Sequence, residues 1–216
     1  MAISIDNDAL ELHLVELSKR FNKNLLFKQL NIVCKSGETL AITGANGSGK
    51  STLLKIIAGL IPPNAGNIKI LHRAEEVDKE KYYSYINICA PYIYLIENFT
   101  LSEHLAFHSK FKKPITNEAL QEALTMSGLS SASDTLVSDF SSGMKQRLKL
   151  ILALCFQGPI LLLDEPTAHL DASGKNWYRT LLKKRINNSI TLIFSNEENE
   201  YLSFTQNLID ISTLKN

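Results

Sequence analysis

The chain has 216 residues, of which 44% are hydrophobic and 21% charged, and its formal net charge is +1. Length and composition fit one domain, or a domain with an insert, built around a genuine core. The near-zero charge excludes a global basic field for nucleic acid and an acidic tail.

Met1 to Leu12 carries Asp6, Asp8 and Glu11 and no apolar stretch, so it does not read as a secretory leader. Leu12 to Leu17 alternates like a strand, and Asn31 to Cys34 reads as a second, ended by Lys35-Ser36-Gly37. Thr39 to Ile42 is a short apolar strand, and Leu53 to Ala58 is a helix with apolar residues at three- and four-residue steps. Ile61-Pro62-Pro63-Asn64-Ala65-Gly66 breaks the chain, and Asn67 to Leu71 restarts it as a strand. Ala74 to Tyr85 is charged and then aromatic. From Leu101 to Leu129 the pattern is helical, with Pro114 separating two helices. Ser127 to Ser142, rich in serine and small residues, reads as loop. Met144 to Phe156 is an amphipathic helix with Met144, Leu148, Ile151, Leu152 and Cys155 on one face. Ile160 to Leu163 is a continuous apolar run after Gly158-Pro159, the pattern of a strand buried on both faces. Trp177 to Ile186 is a helix, and Ile190 to Phe194 a final core strand. This order predicts an α/β core with a helical insertion from about Asn98 to Phe140.

Two global features follow. The most apolar stretch, Leu150 to Leu163, is interrupted by Gln157-Gly158-Pro159 and is too short to span a bilayer, so a membrane role requires a partner. Cys34, Cys89 and Cys155 lack metal-ligand spacing and sit among apolar neighbours, as buried free thiols do in a reducing compartment.

The stretch Gly44-Ala45-Asn46-Gly47-Ser48-Gly49-Lys50-Ser51-Thr52, between an apolar strand and a helix, fits the phosphate-binding P-loop. Glycines let successive N–H groups converge on one anion, and the helix adds its positive end there. Lys50 is placed for the β- and γ-phosphates and the Ser51 hydroxyl for Mg²⁺. Asp164 and Glu165 end the apolar strand, at the carboxyl end where an open parallel sheet binds its ligands. Asp164 is then the Mg²⁺-side carboxylate, and Glu165 the group that polarises an attacking water.

Four further segments carry a resemblance: Phe21 in Ser18-Lys19-Arg20-Phe21; Phe140-Ser141-Ser142-Gly143-Met144 followed by Lys145-Gln146-Arg147; Ile160 to Pro166; and Ala168-His169-Leu170-Asp171. With the P-loop, and in this order, they resemble the nucleotide-binding subunits of ABC (ATP-binding cassette) proteins over nearly the whole chain. The resemblance implies an α/β fold: a P-loop NTPase core of the RecA type, an antiparallel β part, and a helical insertion carrying the ABC signature. It implies one ABC domain over 1–216 with the subdomain at about 98–140. Its cofactors are ATP and Mg²⁺. Phe21 takes the place of the aromatic that stacks on adenine, Ser141, Ser142 and Gly143 that of the signature, and Asp171 that of the D-loop. In the family the signature closes on the γ-phosphate held by another subunit's P-loop, so the resemblance implies a homodimer, or a dimer with a similar cassette, around two ATP.

Two departures stand out. Where the family has a glutamine that touches Mg²⁺, Ile86-Asn87-Ile88-Cys89-Ala90-Pro91-Tyr92 has none, and Ala90 or its neighbours take the place. Where the family has a histidine that contacts the γ-phosphate, Asn196 follows Ile193-Phe194-Ser195, able to donate a hydrogen bond but not to titrate. Lys50, Glu165 and Asn196 are accordingly the catalytic candidates, and slow but real hydrolysis is expected. The implied partner is a separate integral membrane permease reached from the cytoplasmic face of the membrane, near the aromatic Tyr92-Ile93-Tyr94-Leu95 and Phe99. Short stand-alone cassettes resemble those of export systems, including the haem-exporter type. A soluble non-transport ABC ATPase and a slow nucleotide-gated module are the alternatives, and no nucleic-acid partner is expected.

Overall fold

The computed structural model describes residues 9–22 and 24–215; Met1 to Asp8, which carries most of the leader reading, lies outside them. In chain order the strands are β1 (Leu10–Phe21), β2 (Asn24–Lys35), β3 (Thr39–Thr43), β4 (Ala65–His72), β5 (Glu75–Glu76), β6 (Ile86–Cys89), β7 (Ile160–Asp164), β8 (Ile190–Phe194) and β9 (Leu208–Asp210). The helices are α1 (Lys50–Ile57), α2 (Tyr82–Tyr85), α3 (Leu101–His108), α4 (Asn117–Met126), α5 (Ser142–Leu154) and α6 (Ala172–Ile186).

The strands form two sheets. One is antiparallel in the order β2-β1-β4-β5; the other is parallel in the order β6-β7-β8-β3-β9. The parallel sheet is covered on both faces, as its unbroken apolar strands require. Along β7, Ile160 and Leu162 join one hydrophobic cluster, with α1 and the antiparallel sheet. Leu161 and Leu163 join the other, with α4, α5 and α6. The two-residue period of a strand thus divides one apolar run between two cores.

The antiparallel part is longer than its local pattern indicates. The expected strands at Leu12 to Leu17 and Asn31 to Cys34 are the regular segments of two twelve-residue strands. Bulges between Leu14 and Leu17 and at Lys19 break the alternation, and Glu16 and Gln29 sit at φ of 50° and 51°. The expected final core strand β8 is followed by β9, a three-residue strand paired to β3 and too short to show a period.

Helix starts follow capping chemistry. Thr100 and Glu103 form a capping box at α3, Thr116 caps α4, Ser141 caps α5 and Asp171 caps α6. Helix α6 therefore begins five residues ahead of the expected Trp177, in a polar first turn without apolar periodicity. All three cysteines are free and buried, and burial pushes each thiol up to about 12. Among the described residues no helix is long and apolar enough to cross a membrane.

Candidate nucleotide site

Strand β3 lies inside the parallel sheet and delivers the loop 44–49 at its carboxyl end, with α1 starting at Lys50. The loop's path depends on glycine at two points. Gly44 has φ 138°, and a Cβ there meets Ser212 Oγ at 2.8 Å; Gly49 caps α1 in the left-handed region at φ 115°. Lys50, only 7% exposed, curls back so that Nζ donates to the carbonyls of Gly44 and Ala45. Ser48 Oγ is buried without a partner. Donors and small residues converge here, and the lysine is held over the loop, an arrangement suited to phosphate oxygens.

The neighbouring strands supply the acids. Asp164 ends β7, 3% exposed, with the Ser51 hydroxyl beside it. Burial raises its pKa, and the Ser51 hydroxyl and Lys50 pull it back down in part. Glu165 follows at φ 46°, its N–H bonded to Phe194 O at 3.0 Å and its side chain exposed. A cleft of about 360 Å³ is lined by Phe21, Leu26, Asn46, Gly47, Gly49, Lys50, Ser51, Thr52 and Glu165. Phe21, at the end of β1, leaves 51% of its surface exposed there, with Lys19 Nζ 5.0 Å from its ring centre. Asn196, just past β8, accepts from Gly44 N at 3.1 Å and donates to Asn46 Oδ1 at 3.4 Å. Of the expected candidates, Phe21, Asn46, Gly47, Gly49, Lys50, Ser51, Thr52 and Glu165 share this cleft, with Asp164 beside Ser51 and Asn196 bonded to Gly44. Ser51 and Asp164 offer the hard oxygen donors that suit Mg²⁺. Among the described residues no group of three or more His, Cys, Asp or Glu side chains is placed to hold a metal ion.

A second cluster lies apart from the cleft. Ser141 caps α5 by accepting from Met144 N at 3.2 Å, and Ser142 and Gly143 open that helix. A Cβ on Gly143 sits 3.1 Å from His169 O, so the start of α5 presses on the turn 168–171. Arg147 donates to Asp171 Oδ1 at 3.0 Å, while Asp171 accepts from Gly174 N at 2.8 Å. The Gly174 N–H, with Ser173 and Arg147, holds the Asp171 carboxyl below its usual range. None of Ser141, Ser142, Gly143 and Asp171 lines the cleft.

Several links have no local sequence signal. Gln146 Nε2 donates to Pro166 O at 2.9 Å, tying α5 to the turn after Glu165. Glu200, 2% exposed, accepts from Thr167 N at 2.8 Å and from the Thr167 hydroxyl. Ser212 Oγ accepts from Ala45 N at 3.3 Å. Ala90 is fully buried, and Lys149 Nζ reaches its carbonyl at 3.4 Å and that of Pro91 at 3.3 Å.

Comparison with known proteins agrees with this geometry. Residues 27–168 match the model of the ABC transporter family. An uncharacterized ABC transporter ATP-binding protein of Bacillus subtilis, YdbJ, is 32% identical over 80% of this chain and 56% of its own length. The linearmycin resistance ATP-binding protein LnrL of the same organism is 30% identical over 90% of the chain and 64% of its own. The chain therefore spans less than two thirds of these relatives. Among solved structures, an ATP-binding subunit of an ABC transporter superposes with a TM-score of 0.80 at 22% identity, over 93% of this chain and 86% of that one. A dimeric ATP-binding cassette in a post-hydrolysis state, bound to ADP and Pi, gives 0.76 at 24% identity, over 93% and 95%. The phosphate loop on β3, the acids on β7 and the family match lead to one conclusion: this chain belongs to the ABC transporter family, as an ATP-binding domain.

Proposed function

We propose that this chain binds and slowly hydrolyses ATP as the energy-coupling subunit of an ABC transporter, working as a dimer against a separate membrane permease. One observation carries the dimer: the cleft with Lys50 and the cluster with Ser141 to Gly143 are separate on one chain. Two copies facing one another would join each cleft to the other's cluster, enclosing two ATP.

In this reading Phe21 offers its exposed ring to adenine, and the 44–49 amides with Lys50 bind the phosphates. Ser51 and Asp164 would hold Mg²⁺, which when bound neutralises charge on the phosphate oxygens. Glu165 orients and polarises a water, and Asn196 donates a hydrogen bond at the γ-phosphate where the family has a histidine. The positive φ at Glu165 supports a side chain aimed by the turn rather than by solvent. Asp171, spent on Arg147 and the α6 cap, acts by shaping the signature cluster. Residues 98–140 form the helical subdomain that carries the permease contact. An aromatic row supports that surface: half-buried Phe99 meets Phe107, and Phe107 meets Phe111, edge to face at 5.6 and 5.2 Å, and Tyr94 is 89% exposed. The permease would place the chain on the inner face of the membrane. Relatives are described both as import and as export ATP-binding proteins, and the direction of transport belongs to the permease.

The test is purification of the tagged chain from detergent extract. Co-purification of a polytopic membrane protein, with Mg²⁺-dependent phosphate release from ATP, is the expected result. A chain that stays wholly soluble and sediments with ribosomes overturns the transporter reading in favour of a soluble ABC ATPase.

A further inference from the structure

The turn that presents Glu165 is held from three sides. Glu165 N–H donates to Phe194 O, at the end of β8, at 3.0 Å, and Gln146 Nε2 on α5 donates to Pro166 O at 2.9 Å. The third hold is Glu200. Its carboxylate is 2% exposed, and one oxygen, Oε1, accepts both from Thr167 N at 2.8 Å and from the Thr167 hydroxyl. The backbone behind this carboxylate is firm. Glu200 N donates to Glu197 O at 2.9 Å and Glu197 N to Ser195 Oγ at 2.9 Å, while the adjacent Tyr201 is buried in the hydrophobic cluster of α4, α5 and α6.

Burying a carboxylate is costly unless its oxygens are paired, and Glu200 Oε2 has no partner. What the two bonds at Oε1 achieve is local: they tie Thr167, two positions after Glu165, to the segment that begins with Asn196. Glu165 sits at φ 46°, a conformation that persists for a glutamate only where its surroundings impose it. We infer that Glu200 is a positioning residue for hydrolysis: it locks the turn 165–168 onto the segment after β8 and so sets where the Glu165 carboxylate stands at the cleft. Glu200 does not line the cleft itself and acts through Glu165. The inference rests on reading Glu165 as the group that polarises the attacking water.

The experiment uses the full chain and two substitutions at Glu200. Glu200→Gln keeps the length and an acceptor oxygen, whereas Glu200→Met keeps the length and removes the acceptor. Phosphate release at saturating MgATP is measured beside equilibrium binding of a fluorescent ATP analogue, in the parent and in a Glu165→Gln background. Glu200→Met is expected to lose roughly 10–100-fold in turnover with analogue affinity unchanged, the scale of a misplaced catalytic group, and Glu200→Gln to stay close to the parent. In the Glu165→Gln background Glu200→Met costs nothing further, because the group it positions is already gone; a merely structural acid lowers both backgrounds alike. Should Glu200→Met fail to fold, Thr167→Val removes one of the two bonds and is read in the same two backgrounds, with a smaller loss expected in the parent alone. Parent-like turnover in the variant assayed, an equal loss in both backgrounds, or a Glu200→Gln as slow as Glu200→Met overturns the inference and leaves the site reading intact. A parent chain that releases no phosphate, or a Glu165→Gln chain that matches the parent, overturns the hydrolysis reading and the inference with it.

Discussion

In the proposed mechanism two residues divide the chemistry of the cleft between holding and reacting. Lys50 is held over the phosphate loop by its two carbonyl contacts, whereas the exposed Glu165 carboxylate is free of side-chain partners among those described. Glu165→Gln is therefore expected to bind ATP as the parent does and to lose roughly 10²–10⁴-fold in turnover, the usual range for a general base. Steady-state phosphate release beside equilibrium nucleotide binding checks this, and parent-like turnover removes Glu165 from the mechanism. The residues of this cleft were legible because the motif places them consecutively: 44–52 on one turn, Asp164 and Glu165 at one strand end. Ser212, Gln146 and Glu200 were not. Each acts on a group from 20 to 167 positions away in sequence, and no local pattern encodes such a contact.

The elements that were hardest to read are those bent by backbone geometry. The β1 bulge brings the backbone of Val15 and Glu16 onto Gly66 of β4, where a Cβ meets Val15 O at 2.3 Å and Glu16 C at 2.5 Å, at φ 81°. Backbone cannot yield as a side chain does. Gly66→Ala is expected to destabilise by about 3 kcal/mol or more, and to lower Tm by roughly 6–12 °C. A thermal melt within 2 °C of the parent denies that this close approach persists in solution. The apolar strands β7 and β8 were legible because burial on both faces leaves an unbroken run. Three-residue β9 and the polar start of α6 leave no such trace.

The seam between β6 and the segment that follows α3 carries a second element-scale consequence. Lys112 Nζ donates to Ile86 O and Asn87 Oδ1, while Arg185 donates to Phe156 O and Gly158 O nearby. Burial, with the Arg185 charge, pushes Lys112 down to about 7. Between that value and about 10.4 the unfolded chain holds a proton the folded chain has released, so stability rises with pH across this window. Below about 7 both states are protonated and the dependence vanishes. Buried thiols pull the other way at alkaline pH, so the comparison is with Lys112→Met. From pH 7 to 9 the parent is expected to gain in Tm relative to this variant, and a constant difference refutes a depressed lysine.

At the scale of the molecule, the separation of cleft and signature cluster makes a prediction about pairs of chains. A chain with Lys50→Ala keeps its signature cluster, and a chain with Gly143→Asp keeps its cleft while adding a carboxylate to a position whose Cβ already lies 3.1 Å from His169 O, where phosphate oxygens would approach. Each variant alone is expected to lack turnover, because every site in its homodimer is damaged. Mixed, they form heterodimers in which one composite site is whole. Random pairing places about half of all dimers in that class, each with one of two sites intact, so roughly a quarter of parental activity is expected if sites act independently. Strict coupling between the two sites gives none, while Gly143→Asp still binds the nucleotide analogue on its own. If Gly143→Asp alone retains parental turnover, the signature of one copy does not complete the cleft of another, and the dimer with two shared ATP fails as the working form of this protein.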